Sequence, residues 1–349
     1  MLKSQFPNNE LKSIQDWKFI SNESLNIDTQ TIENSLNYLK GYLDALQYLD
    51  LKAFNQMIKL SEIKHSFDLE NIHLSQQRLF ESYSSENALN DDLAIQMIAE
   101  LKAYNFSIHE DLKVFQSKIS DNKRQKRTKK EHTIKSYHTN LTLYTCPNSP
   151  LLIKNLTSAL KIEIDNFKQN PTIITLPLLH LQIRGLGLYP KNNGHSSRLI
   201  LHAMLQLFIK KAIVLPLSKT ILENKEDYQV ILKKALLDQQ YNDWCAFIIH
   251  QLNKSVFDYI EKLKKYMQLR QQTDEMIQKY TSYKMPSPVL LNTLFHSPYI
   301  KPKHLMDALS CHRQTAYTYL EHLVKMGILI EKKSGRERLF LNKSLMDIF

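Results

Sequence analysis

Glycine is scarce in this chain, six in 349 residues, beside eleven prolines, two tryptophans and three cysteines. So little glycine and proline, with 43% apolar content, excludes a collagen-like, low-complexity or disordered polymer and favours a helix-rich globular one. The cysteines, Cys146, Cys245 and Cys311, stand far apart at no disulfide or zinc spacing, which excludes a disulfide scaffold and fits a reducing cytosol. No signal peptide is visible, because the first residues are polar and mix acidic with basic side chains. Long apolar runs are missing too. The strongest, Leu199–Ile209, is too short to span a bilayer, stops at Lys210-Lys211 and reads as a core helix. A cytoplasmic location and no membrane partner are expected. The length allows two or three domains, each able to bury its own core. The net charge of +11 favours anionic partners, nucleic acid or an acidic surface.

Three of the six glycines, Gly185, Gly187 and Gly194, fall within HLQIRGLGLYPKNNGHSSR, His180 to Arg198, which runs directly into LILHAMLQLFI. Glycine serves where a backbone turns sharply or approaches something closely. Asn192-Asn193-Gly194 before an apolar helix describes a tight loop feeding a helix N-terminus, where free N–H groups suit an anion. On these residues alone an ordinary helical corner is the better reading. The stretch also resembles the signature of Fic (Fido-fold) proteins, which transfer AMP from ATP onto hydroxyl groups. That pattern is H-P-F-x-D-G-N-G-R-x-x-R, with another His seven residues upstream. His180 stands at the upstream His, Gln182 at a usual Gln and Tyr189 at the Phe; Asn193-Gly194 keep the N-G pair and Arg198 keeps the second Arg. The chemistry-bearing positions depart. Gly187 replaces the base His, Lys191 the Mg²⁺-holding acid, Asn192 the first loop Gly and His195 the first Arg. The resemblance therefore implies a degenerate nucleotide loop (Gly187, Lys191, Asn192, Asn193, Gly194, His195, Arg198) with no catalytic residue and no metal site. No cofactor is expected; ATP is the ligand if the pocket is retained.

Along the chain, Asp28 can cap a helix carrying Ile32, Leu36, Leu39, Leu43 and Leu46 at helical spacing. A second helix runs from Phe54 toward Ile63 and into SFDLENIHLS. There Ser66, Glu70 and Asn71 resemble the Fic inhibitory motif [S/T]-x-x-x-E-[G/N]. In the family that Glu pairs with the second signature Arg and blocks placement of the γ-phosphate. With the base gone, a retained ion pair that orients two helices is the preferred reading of Glu70 and Arg198. Amphipathic helices are predicted over 90–104 and 111–119. The basic run Lys123–Lys130 reads as a solvated loop, with a grip on phosphates as the alternative. Ser136–Pro147 alternates as a strand, and its LYTCP resembles the (V/I)YTPP of the family's β-hairpin flap, which holds a target segment as an added strand. Leu143, Tyr144 and Thr145 would form that flap, and a protein partner could pair with it through backbone alone. Pro177 either kinks its helix or lies in its first turn. Asp243–Met267 is a long helix, and the resemblance runs from about residue 28 to 270.

Beyond a turn-rich linker over 281–288, the pattern is helix, helix–turn–helix and hairpin. LSCHRQTAYTYLEHLVKMGILIEKKSGRERLF resembles a winged helix. Ala316, Leu320 and Leu323 point inward. His312, Arg313, Gln314, Thr315, Tyr317 and Thr318 would face a major groove, with Lys332, Lys333, Arg336 and Arg338 on phosphates. A winged helix used for protein contacts is the alternative. The expected fold is mainly α: a helical Fic/Fido core with a flap, an N-terminal helical domain and a C-terminal winged helix-turn-helix. The boundaries are 1–110, 111–280, with the degenerate signature at 187–198, and 285–349. The expected function is a catalytically degenerate binding or regulatory module that contacts DNA. Two alternatives stand beside it. One is a residual AMP transferase, with Lys191 replacing Mg²⁺ by charge and His195 or His180 as base; the other is a protein-interaction scaffold. Homo-oligomerisation is left open.

Overall fold

The computed structural model describes residues 11–17, 22–46, 51–84, 91–104, 132–188, 192–280, 287–334 and 337–349. The basic run over 123–130, the helix predicted over 111–119, Tyr189, Lys191, Arg336 and linker residues 281–286 lie outside them, as does the side chain of Lys333.

The described chain is mainly helical and groups into two compact units that interleave along the sequence. The first comprises Met1–Ala45, His65–His73 and Glu100–Val256; the second comprises Leu46–Lys64, Leu74–Ala99 and Phe257–Phe349. This division follows a different line from the sequence boundaries, because helices α2 (Lys52–Asp68), α4 (Asp92–Tyr104) and α10 (Tyr241–Tyr280) each contribute to both units.

In the first unit, helix α1 (Glu23–Ala45) buries Leu25, Ile32, Leu36, Leu39 and Leu43. It starts before Asp28, because Asn22 Oδ1 accepts the Leu25 N–H at 2.9 Å and supplies the cap one turn earlier. Strands β1 (Thr133–Lys135) and β2 (Thr142–Thr145) pair antiparallel, Ile134 opposite Tyr144. The flap therefore begins before Ser136, and residues 137–140 form its turn. Helix α5 (Pro150–Gln169) is capped by Ser149, with Pro150 in the first turn. Helix α6 (Thr175–Leu186) is buried all round from Leu176 to Leu186, the mark of a core helix. Pro177 lies in its first turn, where no helical N–H is lost, and its carbonyl accepts Trp244 Nε1 at 2.7 Å. Helix α7 (Asn193–Ile209) packs on α6 and is buried through most of its length. Helices α8 (Leu217–Glu223) and α9 (Lys225–Asp238) follow. Gln229 of α9 clips the flap with both amide atoms, donating to Lys135 O at 3.2 Å and accepting from Tyr137 N at 3.1 Å.

The second unit holds helices α3 (Gln76–Ser84), α11 (Ser287–Leu294), α12 (Pro302–Leu309), α13 (Arg313–Lys325) and α14 (Lys343–Met346). Strands β3 (Tyr299–Ile300), β4 (Ile330–Ser334) and β5 (Glu337–Leu341) form an antiparallel sheet in the order β3-β5-β4. Ala316, Leu320 and Leu323 of α13 are buried, at the positions that the helical spacing predicts. Gly327, at φ 74°, closes that helix: its N–H bonds to Val324 O and that of Ile328 to Leu323 O. Only a residue that tolerates the left-handed region makes this cap without strain.

Candidate functional site: a closed corner at the start of α7

The signature residues meet where α6 ends and α7 begins, all within the first unit. Gly187 ends α6 at φ 55°, ψ 52°, a left-handed corner that suits glycine and that most side chains adopt only with strain. Asn192, at φ 58°, makes the second left-handed corner before α7, a conformation that asparagine tolerates better than most residues. Arg198, one turn into α7, is fully buried. Its Nε donates to Ser66 Oγ at 2.9 Å, and its Nη2 donates to Ser66 O at 2.7 Å and to Glu70 Oε1 at 3.2 Å. Ser66 Oγ, accepting from Arg198, also lies 2.8 Å from His195 Nδ1. The hydroxyl proton is then free to go to Nδ1, which leaves the ring proton on Nε2, 3.6 Å from the Glu100 carboxylate. The imidazole that replaces the first signature arginine is thus spent on structure, packed against Phe67 at 4.8 Å.

Ser66 and Glu70 both contact Arg198, and Asn71 follows them in the turn that ends α2. The motif has a local physical basis. Asn71 takes φ 59° just past α2, and the Ile72 N–H reaches back to Phe67 O at 3.0 Å, a helix-ending turn that favours Gly or Asn. Asn71 Oδ1 accepts from Lys225 Nζ at 2.8 Å, which ties the turn to α9. Glu70 rests on the bare Cα of Gly194: a Cβ there would overlap Glu70 Oε1 and come within 2.8 Å of its Cδ.

A second arginine, absent from the sequence reading, completes the cluster. Arg184 on α6 is 7% exposed, and its Nε meets no partner among the described residues. Burial alone would raise the Glu70 pKa; the charges of Arg184 and Arg198 and the Arg198 hydrogen bond more than offset it, holding the carboxyl below its ordinary range. Burial conversely works to lower both guanidinium pKa values, and Glu70 reverses it, so both are raised. The signal for Arg184 was a charged residue inside the apolar run TLPLLHLQIRGL, since a buried charge is expensive unless paired. His180 is also buried, stacked on Trp244 at 5.5 Å with Nε2 3.4 Å from Tyr228 OH. Burial lowers its pKa to about 3, so the ring is neutral at pH 7.

Mg²⁺ with a nucleotide does not fit the described residues. At the first turn of α7 the Glu70 carboxylate is bonded to Arg198 and seated against Gly194, and that of Glu100 lies 3.6 Å from His195 Nε2. No group of three or more His, Cys, Asp or Glu residues suited to a metal occurs among the described residues, and no described helix is long and apolar enough to cross a membrane. A cavity of about 650 Å³ in the same unit, beside Trp17, Leu156, Leu236 and Tyr241, contains none of the signature residues.

Of the flap residues, Tyr144 is buried, Leu143 half-buried and Thr145 exposed. In the second unit, His312, Arg313, Gln314 and Thr318 are exposed along α13, with Thr315, Tyr317 and Lys332 half-buried. Arg338 is engaged within the protein. It donates to both oxygens of Glu331 at 2.6 and 2.9 Å, lies 3.6 Å from Glu321, and covers the Tyr317 ring at 4.9 Å. Arg313 approaches the same ring at 5.6 Å.

Residues 269–345 match the family model described as the C-terminal domain of SoFic-like protein adenylyltransferases. The fold as a whole is similar to that of a Fic family protein from Desulfovibrio desulfuricans G20, with TM-score 0.60 and 14% identity over 93% of this chain and 98% of that one. Fic-1 (residues 134–508) from C. elegans aligns at TM-score 0.47 and 16% identity over 68% of this chain and 73% of its own. The chain thus shares the fold of a Fic family protein and, over residues 269–345, is similar to the C-terminal domain of SoFic-like adenylyltransferases.

Proposed function

We propose that this is a catalytically degenerate Fic-like protein acting as a binding or regulatory module, which contacts DNA through α13. The supporting observation is the closed corner at the start of α7: Glu70 lies over Gly194, Arg198 is consumed by Ser66 and Glu70, and glycine stands at the base position. General-base catalysis contributes roughly two to four orders of magnitude, and nothing at position 187 can supply it. Neither alternative base serves. His180 is buried against Trp244, and His195 is buried between Ser66, Phe67 and Glu100.

The DNA reading rests on the exposed row His312, Arg313, Gln314 and Thr318, hydrogen-bonding side chains on one helix of a protein with net charge +11. Arg338 is assigned a different role, bracing Tyr317 and Glu331 instead of gripping phosphate. Fluorescence anisotropy with labelled duplex DNA tests this: binding weakens with salt, and Arg313→Ala weakens it further. No binding at low salt overturns the DNA contact and leaves α13 as a protein-contact surface.

A further inference from the structure

The polar side chains along α13 are engaged to different degrees. Thr318 Oγ1 donates to Gln314 O at 3.0 Å, a bond internal to the helix. Arg338 of β5 is forked onto Glu331 of β4, Nε to Oε1 at 2.6 Å and Nη2 to Oε2 at 2.9 Å, with Glu321 of α13 3.6 Å from the same Nη2. A guanidinium held by both oxygens of one carboxylate and flanked by a second is fixed in place. This fixed group lies over the Tyr317 ring, 4.9 Å from its centroid, and 5.7 Å from the ring of the buried Phe340. Tyr317 is half-buried and so held against the sheet. Arg313, one turn before Tyr317, places its own guanidinium 5.6 Å from the same ring centroid, within the reach at which an aromatic face attracts a cation. Arg313 is exposed, and among the described residues no carboxylate pairs with it.

We propose that Arg313 reads a base edge of duplex DNA, that the base it takes is guanine, and that Tyr317 is its positioning residue. This rests on the DNA contact proposed above and adds a specificity to it. Arg313 is the first residue of α13, and the N-terminal residues of a helix laid in a major groove are those that reach base edges. Its forked N–H groups match the N7 and O6 acceptors that guanine presents there, whereas adenine presents one acceptor beside an amino donor that opposes a guanidinium. The Tyr317 face narrows the conformations open to the Arg313 side chain, so less freedom is lost when the fork meets the base. Glu331 and Glu321 hold Arg338, Arg338 holds Tyr317, and Tyr317 steers Arg313. A cation that met only phosphate would raise affinity for every sequence alike.

The test uses the full-length protein and a random-sequence duplex library, with selection at low salt and sequencing of the bound pool. A guanine enriched at a fixed position is expected. With Arg313→Ala that enrichment is expected to vanish while salt-dependent binding to the pool persists. On the selected duplex, 7-deazaguanine at that position removes the N7 acceptor; by fluorescence anisotropy it is expected to weaken binding of the wild-type protein about tenfold and that of the Arg313→Ala protein not at all. Tyr317→Leu is expected to lose most of the guanine preference, and Tyr317→Phe, which keeps the ring face, to retain it; a ring that only packs affects every duplex equally. A guanine preference that survives Arg313→Ala, or an unchanged affinity of the wild-type protein for the 7-deazaguanine duplex, overturns the proposal. An unchanged preference in a folded Tyr317→Leu protein overturns the positioning role. Duplex binding with no preferred base overturns the guanine assignment and leaves the DNA contact standing, whereas no binding to any duplex overturns the contact and this inference with it.

Discussion

His180 couples the core of the first unit to pH in a way that can be worked through. Its ring is 1% exposed, and burial, with a smaller contribution from the Arg198 charge, lowers its pKa to about 3. In the unfolded chain the imidazole titrates near 6.5. The folded value lies below the unfolded one, so the contribution of the neutral ring is complete above about pH 6.5 and drains away as the pH falls toward 3. Each pH unit inside that window is worth about 1.4 kcal/mol, so about 3 kcal/mol is gone by pH 4.5. In a unit of this size that corresponds to a fall of about 6–12 °C in Tm. His180→Gln keeps a polar group near Tyr228 and removes the titration. Thermal unfolding of both proteins followed by circular dichroism from pH 7 to 4.5 is the assay. The variant starts less stable, and the gap closes by about 3 kcal/mol across the window. A gap that stays constant would refute the buried neutral imidazole.

Three further perturbations test the surrounding structure. Glu70→Gln leaves two buried guanidiniums without their carboxylate, at a cost of about 3 kcal/mol at neutral pH by denaturant titration. Because the folded Glu70 pKa is lowered, its contribution holds above about pH 4.5 and is lost as the pH falls through the folded value, so the variant shows a flatter acid limb there. Gly187→Ala places a Cβ on Cys146 and His132 at a left-handed φ and lowers stability by about 2 kcal/mol in the same assay. Arg338→Ala, at a 37% exposed side chain, changes stability by less than about 1 kcal/mol, and anisotropy shows a smaller effect on duplex affinity than Arg313→Ala.

Much of this was legible in the residues because it depends on local chemistry. The apolar spacing of Ile32, Leu36, Leu39 and Leu43 fixed the inner face of α1, and that of Ala316, Leu320 and Leu323 the inner face of α13. Glu70 and Arg198 stood out as a candidate ion pair because a carboxylate and a guanidinium pair readily, and Asn71 because a helix end favours Gly or Asn. The cap at Asn22 was misplaced to Asp28 because several residues along that segment can cap, and propensity does not choose between them. The first flap strand was missed because Thr133–Lys135 is three residues long and is fixed by Gln229, far away in sequence. His132 and Cys146 meet Gly187, and Arg184 meets the charge of Glu70, only in three dimensions, and no spacing within one segment announces them. The engagement of Arg338 was hidden for the same reason: Glu331 and Glu321 come from a neighbouring strand and from α13.

The claim on which the account rests is that the start of α7 is closed to the nucleotide that an active Fic protein would use. Calorimetric titration of the purified full-length protein with ATP, with and without Mg²⁺, addresses it directly. The closed corner predicts no saturable heat in either condition. Saturable binding in either condition would contradict it, because the corner occupied by Glu70, Arg198 and Gly194 would then admit the nucleotide.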